Sequence, residues 1–136
     1  RYLTDVLEIR LDGSLGLSRN TDAMYSMTFA LLEGASEALG IRRTDIDGTL
    51  YFREFGAPPS IILYDTTPGG AGHVKQIRGK LFDAAREARK KVKSCSCGDD
   101  TSCYNCLRNY QNQRFHDQLQ RKYAIRLLSE MLNIYD

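Results

Sequence analysis

The sequence has 136 residues, of which 42% are hydrophobic and 26% are charged, a size and composition that fit one folded domain and exclude a mostly disordered chain. The formal charge is +2, from 19 Lys and Arg against 17 Asp and Glu. No apolar run approaches the ~18–20 residues of a membrane-spanning helix, which excludes a transmembrane protein.

The chain begins with a predicted strand and a predicted helix. Residues 2–11 alternate apolar and polar side chains, as in a half-buried strand, which Asp12-Gly13 is expected to end. Asn20 or Thr21 is expected to cap a helix that stops at Gly40. The apolar stripe of this helix is formed by Met24, Met27, Leu31, Ala35 and Ala38.

Two short strands are predicted next, near 49–55 and 60–65. The second contains the run Ile61-Ile62-Leu63, and a continuous apolar run is typical of a strand covered on both faces. A glycine-rich loop then leads from this strand towards the following helix. Strand, glycine loop and helix N-terminus together can present backbone N–H groups to an anion, although a tight turn for close packing explains the glycines equally well.

A long helix is predicted from about Gly70 to Val92, with one buried stripe formed by Val74, Ile77, Leu81, Ala85, Ala88 and Val92.

The net charge differs between the two parts of the sequence. Residues 1–74 hold six Arg against ten acids, a balance of −4, whereas residues 75–136 hold thirteen Lys and Arg against seven acids, a balance of +6. Most of the excess lies between Lys75 and Lys93, which fits either a phosphate-binding surface or a solvated helix face.

All four cysteines lie within twelve residues, at Cys95, Cys97, Cys103 and Cys106, with the spacing C-x-C-x5-C-x2-C. Four closely spaced thiolates are the ligands of a structural zinc ion, and they leave no open position for a substrate. Iron–sulfur ligation is the main alternative. Disulfides and a redox Cys-x-x-Cys motif explain the pattern less completely. Lys91, Lys93 and Arg108 are expected to offset the excess negative charge of four thiolates.

The last predicted helix spans roughly 116–134, with its inward side chains at Leu119, Tyr123, Leu127, Leu128, Met131 and Leu132. The order of elements predicts an α+β or α/β fold in which three to four helices pack on a small, mainly antiparallel sheet of about three strands. The four-cysteine zinc loop precedes the C-terminal helix. Residues 1–136 are interpreted as a single domain of a larger protein, because the chain starts without methionine.

Several polar residues suggest weaker hypotheses. Asp65 and His73 flank the glycine loop, and a capping or hydrogen-bonding role is favoured for each over acid–base chemistry. His116 is expected to cap the last helix or to contact a partner rather than to bind zinc. A metal-dependent nuclease using Glu54, Asp65 and His73 is a further hypothesis, although no nuclease motif accompanies these residues.

Two segments together resemble a known family. They are YDTTPGGAGHV at 64–74, and the cysteine region continuing as CYNCLRNYQNQ at 103–113 with His116, Leu119 and Arg121. This pattern resembles the MrfA-type zinc-binding (MZB) domain, which is found at the C-terminal end of superfamily-2 DNA helicases and in DISARM DrmB proteins. The resemblance implies one structural Zn²⁺ ion on the four cysteines and an accessory role beside a helicase motor, in prokaryotic DNA repair or antiviral defence.

The resemblance further implies a cytoplasmic parent protein that hydrolyses ATP, with DNA, the helicase motor domains or a defence-system protein as partners. This segment has no Walker A motif, so it is not expected to be an enzyme by itself. The alternative is a protein-interaction module that docks on the parent chain or on an acidic partner. The residues predicted to contact phosphate are Gly69, Gly70, Gly72, His73, Lys75, Arg78, Arg86, Arg89, Lys90, Lys93, Arg108 and Arg114.

Overall fold

The computed structural model describes residues 5–11 and 16–134. Three antiparallel strands form one sheet in the order β1-β3-β2, with β1 at Val6–Ile9, β2 at Ile46–Tyr51 and β3 at Ser60–Asp65. The helices are Thr21–Leu39 (α1), His73–Gly79 (α2), Leu81–Ser94 (α3) and Arg121–Leu132 (α4), with short 3₁₀ helices at Arg43–Asp45 and Gln113–Gln118. The predicted α+β architecture is therefore confirmed.

The first strand follows the predicted alternation of side chains. Ile9 is buried, whereas Val6 on the opposite face is 62% exposed. Each residue of β1 pairs with β3, from Val6 opposite Tyr64 to Ile9 opposite Ile61. Leu3 and the turn at Asp12-Gly13 lie outside the described residues.

The second strand lies earlier in the sequence than the predicted 49–55. Asp47 and Gly48 are poor strand formers, yet both belong to β2 because tertiary packing overrides propensity. A Cβ atom on Gly48 would lie 2.9 Å from the Thr28 Cγ2 atom of α1, so this position packs closely against the helix. The prediction that β3 is covered on both faces is wrong for Ile62, which is only half-buried in the described structure.

Helix α1 is the centre of the fold. Its N-cap is Asn20, whose side chain accepts a hydrogen bond of 3.0 Å from the Ala23 N–H, and it ends before Gly40, as predicted. The helix contacts the sheet as well as α3 and α4, which explains why residues well outside the predicted stripe, such as Phe29 and Leu32, are also buried. Among the described residues, no helix has both the length and the apolar character needed to cross a membrane.

The predicted helix from Gly70 to Val92 is in fact two helices. α2 begins at His73 and ends at Gly79, and α3 begins at Leu81. Lys80 leaves the helical conformation (φ −129°), with its N–H donating to the carbonyls of Gln76 and Ile77. Glycine is the weakest helix former after proline, so Gly79 is a natural point for this break. The buried apolar stripe nevertheless continues across it.

The predicted helix at 116–134 is also interrupted. A 3₁₀ helix ends at Gln118, the buried Leu119 is extended, and α4 begins only at Arg121. Ser26 of α1 accounts for the interruption, because its hydroxyl accepts a 2.9 Å hydrogen bond from the Gln120 N–H. Tertiary contact with α1 therefore divides a segment that is continuously helical by periodicity alone.

Candidate zinc centre and basic surfaces

The four cysteine sulfur atoms lie together at the end of α3, all within 4.8 Å of one another. The Sγ separations are 3.5 Å for Cys95–Cys103, 3.6 Å for Cys95–Cys97, 3.8 Å for Cys97–Cys106 and 3.9 Å for Cys103–Cys106. Sulfurs at ~2.3 Å from one tetrahedral zinc ion are about 3.8 Å apart. A disulfide would require ~2.05 Å. The arrangement therefore fits a single tetrahedral metal ion.

The surroundings of the sulfur atoms favour thiolates at some positions and thiols at others. The N–H of Cys103 lies 3.4 Å from the Cys106 sulfur, and the N–H of Asn105 lies 3.4 Å from the Cys103 sulfur. The backbone N–H of Cys97, together with the neighbouring thiols, lowers the pKa of the Cys95 thiol to about 7. Burial raises the pKa of Cys97 and of Cys106. Because zinc binds thiolates, metal binding must supply the free energy that removes the protons from Cys97 and Cys106.

The cysteine loop joins the end of α3 to the start of α4. Cys95 directly follows the last residue of α3. The first N–H groups of α4 have no partner within the helix, and the loop supplies one to each of two of them. The Arg121 N–H donates to the Thr101 carbonyl and the Lys122 N–H donates to the Asp99 carbonyl, both at 3.0 Å. The loop is thus the N-terminal cap of α4.

Arg121 is a buried cation, only 4% exposed, that connects the end of α3 to the cysteine loop. Its Nε donates to the Val92 carbonyl at 2.7 Å, and its Nη1 donates to the Cys97 carbonyl. A guanidinium group on carbonyls at the C-terminal end of α3 also opposes the negative end of the helix dipole. The sequence indicates Arg121 only as a member of the family motif, because a role that depends on carbonyls 24 and 29 residues earlier leaves no local pattern.

A second set of contacts anchors the Cys103–Cys106 half of the loop. Leu107 and Asn112 are completely buried. The Asn112 side chain donates to the Leu107 carbonyl at 2.8 Å and lies 2.9 Å from the His116 Nε2 atom. His116 therefore neither caps α4 with its side chain nor reaches the sulfur cluster, and it supports this turn instead.

Lys91 does not face the sulfur cluster, contrary to expectation. Its Nζ atom lies 2.8 Å from the Glu33 Oε1 atom of α1, and the Arg43 Nε atom lies 3.0 Å from the other oxygen of Glu33. Burial lowers the pKa of Arg43, although Glu33 counteracts this effect. Arg108 contacts the loop itself, through a 2.9 Å hydrogen bond from its Nε to the Ser102 hydroxyl.

The glycine loop before α2 is closed around an internal carboxylate. Asp65 is 1% exposed, and its two oxygens accept the N–H groups of Ala71 (2.8 Å), Gly72 (3.1 Å) and Val74 (3.2 Å). Gly69, Gly70 and Gly72 all have φ between 81° and 84°, a conformation that glycine adopts readily. Three N–H groups that an external phosphate could use are therefore already bound, and the predicted hydrogen-bonding role of Asp65 is confirmed.

Replacing the Asp65 carboxylate by an amide, in Asp65→Asn, is expected to lower the free energy of unfolding by ~1–3 kcal/mol. The amide keeps the shape of the side chain but turns an NH₂ group towards backbone donors. Urea denaturation of the zinc-loaded protein measures the loss. Asp117→Asn is the matched control, because Asp117 is exposed and its change should stay within ~0.5 kcal/mol. Equal stability of the two variants would contradict the conclusion that Asp65 stabilises the glycine loop.

The nuclease hypothesis finds no assembled site in the described structure. Glu54 lies in the loop after β2, and Asp65 lies at the far end of β3, about 17 Å along a six-residue strand. The His73 Nε2 atom lies 3.9 Å from a carboxylate oxygen of Asp45. Glu54 therefore does not converge with Asp65 and His73.

The predicted phosphate-contacting cations fall into separate places. Arg86, Arg89, Lys90 and Lys93 share a groove beside the C-terminal end of α4. Lys75 and Arg78 of α2 line a different hollow, next to β1. Arg114 stacks over the Phe115 ring at 4.8 Å. Lys122 and Arg126 of α4, which were not among the predicted residues, line the same groove system as Arg89 and Lys93.

The sulfur tetrahedron and the loop that carries it define a structural metal-binding domain of the four-cysteine class. Comparison with known families agrees, because the profile described as "MZB: MrfA Zn-binding domain" matches residues 27–107, more than half of the chain. The chain therefore belongs to the MrfA Zn-binding domain family. The resemblance seen in the sequence is confirmed.

Two known proteins are similar over nearly the whole chain. The Druantia protein DruE of Escherichia coli (strain UMEA 4076-1) is 30% identical over 146 residues, covering 93% of this chain. The crystal structure of the DUF1998 helicase MrfA bound to DNA has the same fold, with a TM-score of 0.64 and 20% identity over 90% of this chain. The chain corresponds to only 8% of DruE and 16% of the MrfA chain.

Proposed function

We infer that this chain is a non-enzymatic accessory domain of a larger, ATP-dependent DNA helicase, and that one structural Zn²⁺ ion stabilises it. Cys95, Cys97, Cys103 and Cys106 hold the ion in this proposal, and the full tetrahedral shell makes it a cross-link rather than a reaction centre. The proposed parent protein acts in the cytoplasm of a prokaryote, in DNA repair or in defence against phages. The observation that carries the proposal is the four-sulfur cluster in a domain of the MrfA Zn-binding family.

The domain is further proposed to contact the phosphate backbone of DNA through the cations of α3, without reading sequence. In support, Arg86, Lys90 and Lys93 are exposed and line one groove. Lys and Arg on such a surface bind phosphates by releasing counterions. The glycine loop is a weaker candidate because Asp65 takes three of its N–H groups. Contacts at Gly69, Gly70, Gly72, His73, Lys75, Arg78, Arg108 and Arg114 stay predictions.

A salt titration tests the contact with DNA. The zinc-loaded chain is expected to bind a fluorescein-labelled 20-nucleotide oligothymidylate at ~50 mM salt, measured by fluorescence anisotropy. If four phosphates are neutralised, the affinity falls about 50-fold by ~200 mM salt, because the slope of log K against log salt is ~−0.7 per phosphate for a single strand. Absence of binding at ~50 mM, or an affinity that salt does not change, would contradict the proposal.

The alternative of a protein-interaction module is favoured by a separate observation. Tyr51, Phe52 and Phe55 are exposed near the β2–β3 connection, and Val6 is exposed on β1. Exposed aromatic groups of this kind mark surfaces that contact other proteins. A domain that binds no nucleic acid in the salt titration would favour docking on the parent chain instead.

A further inference from the structure

Two rows of cations line two adjoining hollows beside α3 and α4. Arg86, Lys90 and Lys93 on α3 line the smaller hollow, and Lys122 and Arg126 on α4 line the larger one together with Lys93. Residues three and four apart share one face of a helix, so each row follows one face of its helix. The larger hollow, the α3–α4 groove, has a volume of about 670 Å³, and the smaller one, beside the end of α4, has a volume of about 380 Å³.

The floor of the groove combines apolar side chains with a fixed polar contact. Ile125 and Ile134 supply the apolar surface. The Arg89 Nε atom donates a 2.8 Å hydrogen bond to the Ser129 hydroxyl, which ties α3 to α4. The groove is thus formed mainly by two packed helices, together with Asp99 of the cysteine loop and Ile134 beyond the end of α4. Its floor can receive the carbon surface of sugars and bases.

The two α4 cations have acidic partners. The Arg126 Nε atom lies 3.2 Å from the Glu130 carboxylate, and the Lys122 Nζ atom lies 2.8 Å from the Asp100 carboxylate. The side chains of Lys122 and Asp100 are 47% and 82% exposed, whereas Glu130 is only 18% exposed. An exposed pair contributes little to stability, so a phosphate group can replace the Asp100 carboxylate at Lys122.

The width of the groove selects the form of nucleic acid. Packed helices have axes ~8–10 Å apart, so a groove between them is narrower than a duplex but can hold one extended strand. We propose that the α3–α4 groove and the hollow beside it bind the backbone of single-stranded DNA, with phosphates along the cations of both helices and with Ile125 and Ile134 beneath the sugars and bases. This inference rests on the proposed function, since it specifies where and in which form the domain contacts DNA.

The test compares two double variants with equal changes in charge. Lys122→Glu/Arg126→Glu reverses the α4 row, and Arg10→Glu/Arg42→Glu reverses two exposed cations outside the groove. The first is expected to weaken oligothymidylate binding at least tenfold at ~50 mM salt and to reduce the salt slope by about 1.4, the value for two phosphates. The second is expected to change affinity less than threefold. Lys122→Gln/Arg126→Gln, which adds no negative charge, should give a smaller loss in the same direction.

The outcomes separate this inference from the proposed function. If the wild-type chain binds neither oligothymidylate nor a 20-base-pair duplex, the proposed contact with DNA fails and the groove assignment fails with it. If the wild type binds but both double variants lose affinity equally, the groove is overturned while the proposed function stands. Tighter binding of the duplex, or equal binding of an oligoglutamate peptide, would also overturn the assignment to a single strand. Zinc content and circular dichroism verify that each variant is folded.

Discussion

Chelation of the metal ion is expected to unfold the region from Cys95 to the start of α4, and with it the packing of α3 and α4 on α1. Structural zinc contributes an apparent ~10–16 kcal/mol to small domains, which is as large as the whole stability of most domains. In this chain the loop also caps α4, so its loss removes the acceptors of the Arg121 and Lys122 N–H groups. The measurement is circular dichroism and amide hydrogen exchange before and after a high-affinity chelator.

Hydrogen exchange can show which residues unfold when the metal ion is removed. The Arg121 and Lys122 amides should lose protection first, whereas the Leu63 amide in the central strand should be affected least. Cys106→Ser should reproduce the effect because Cys106 is the most buried of the four ligands. Ser96→Ala, an exposed change inside the same loop, is the matched control. Retained protection after complete metal removal, or iron in the purified protein, would contradict a structural zinc site.

Acid is expected to weaken zinc binding in the same protein. Each thiol must lose its proton to bind the ion, so lowering the pH favours the metal-free form. The lowered pKa of Cys95, about 7, favours the thiolate form of this residue near neutral pH. Burial raises the pKa of Cys97 and Cys106, so the ion itself must drive their deprotonation near neutral pH.

The cysteine cluster could be predicted from the sequence because all of its members lie within twelve residues. Ligand spacing is a local pattern, and the fold only needs to close one loop. The support around the cluster could not be predicted in the same way. Arg121 binds carbonyls that lie 24 to 29 residues earlier, and Ser26 binds the Gln120 N–H across 94 residues. Neither contact leaves a periodic or compositional signal.

The shape of the basic surface could not be predicted from the sequence either. Charge counting predicted one basic face from Lys75 to Lys93, on the assumption of one continuous helix. The break at Lys80 divides this stretch, so that Lys75 and Arg78 line a hollow beside β1 while four cations of α3 line a hollow beside the end of α4. Another cation of α3, Lys91, pairs with Glu33 of α1 instead. Lys122 and Arg126 join the second group only because α3 and α4 pack together. Tertiary packing, rather than position in the sequence, therefore defines the surface.

A single methyl group at Gly34 is expected to disrupt the fold at the contact of α1 and α3. A Cβ atom at this position would lie 2.1 Å from the Ala84 carbonyl oxygen, 2.6 Å from the Ala88 nitrogen and 2.7 Å from the Ala88 Cβ atom. Two of these atoms belong to the backbone of α3, so no change of rotamer relieves the overlap and the helices must separate. Overpacked cores lose ~1–3 kcal/mol and sometimes more, and we place Gly34→Ala at or above the upper end of that range.

Urea denaturation of Gly34→Ala, with Gly79→Ala as the control, measures this effect. Gly79 also lies in a helix, but nothing lies within 4 Å of a Cβ atom placed there. Alanine has the higher helix propensity, so Gly79→Ala should raise the free energy of unfolding by ~0.4–1 kcal/mol. Removing the Ala88 methyl group as well, in Gly34→Ala/Ala88→Gly, should not restore stability because the Ala84 oxygen remains in place. A Gly34→Ala protein as stable as the wild type would show that α1 and α3 are packed less closely than described.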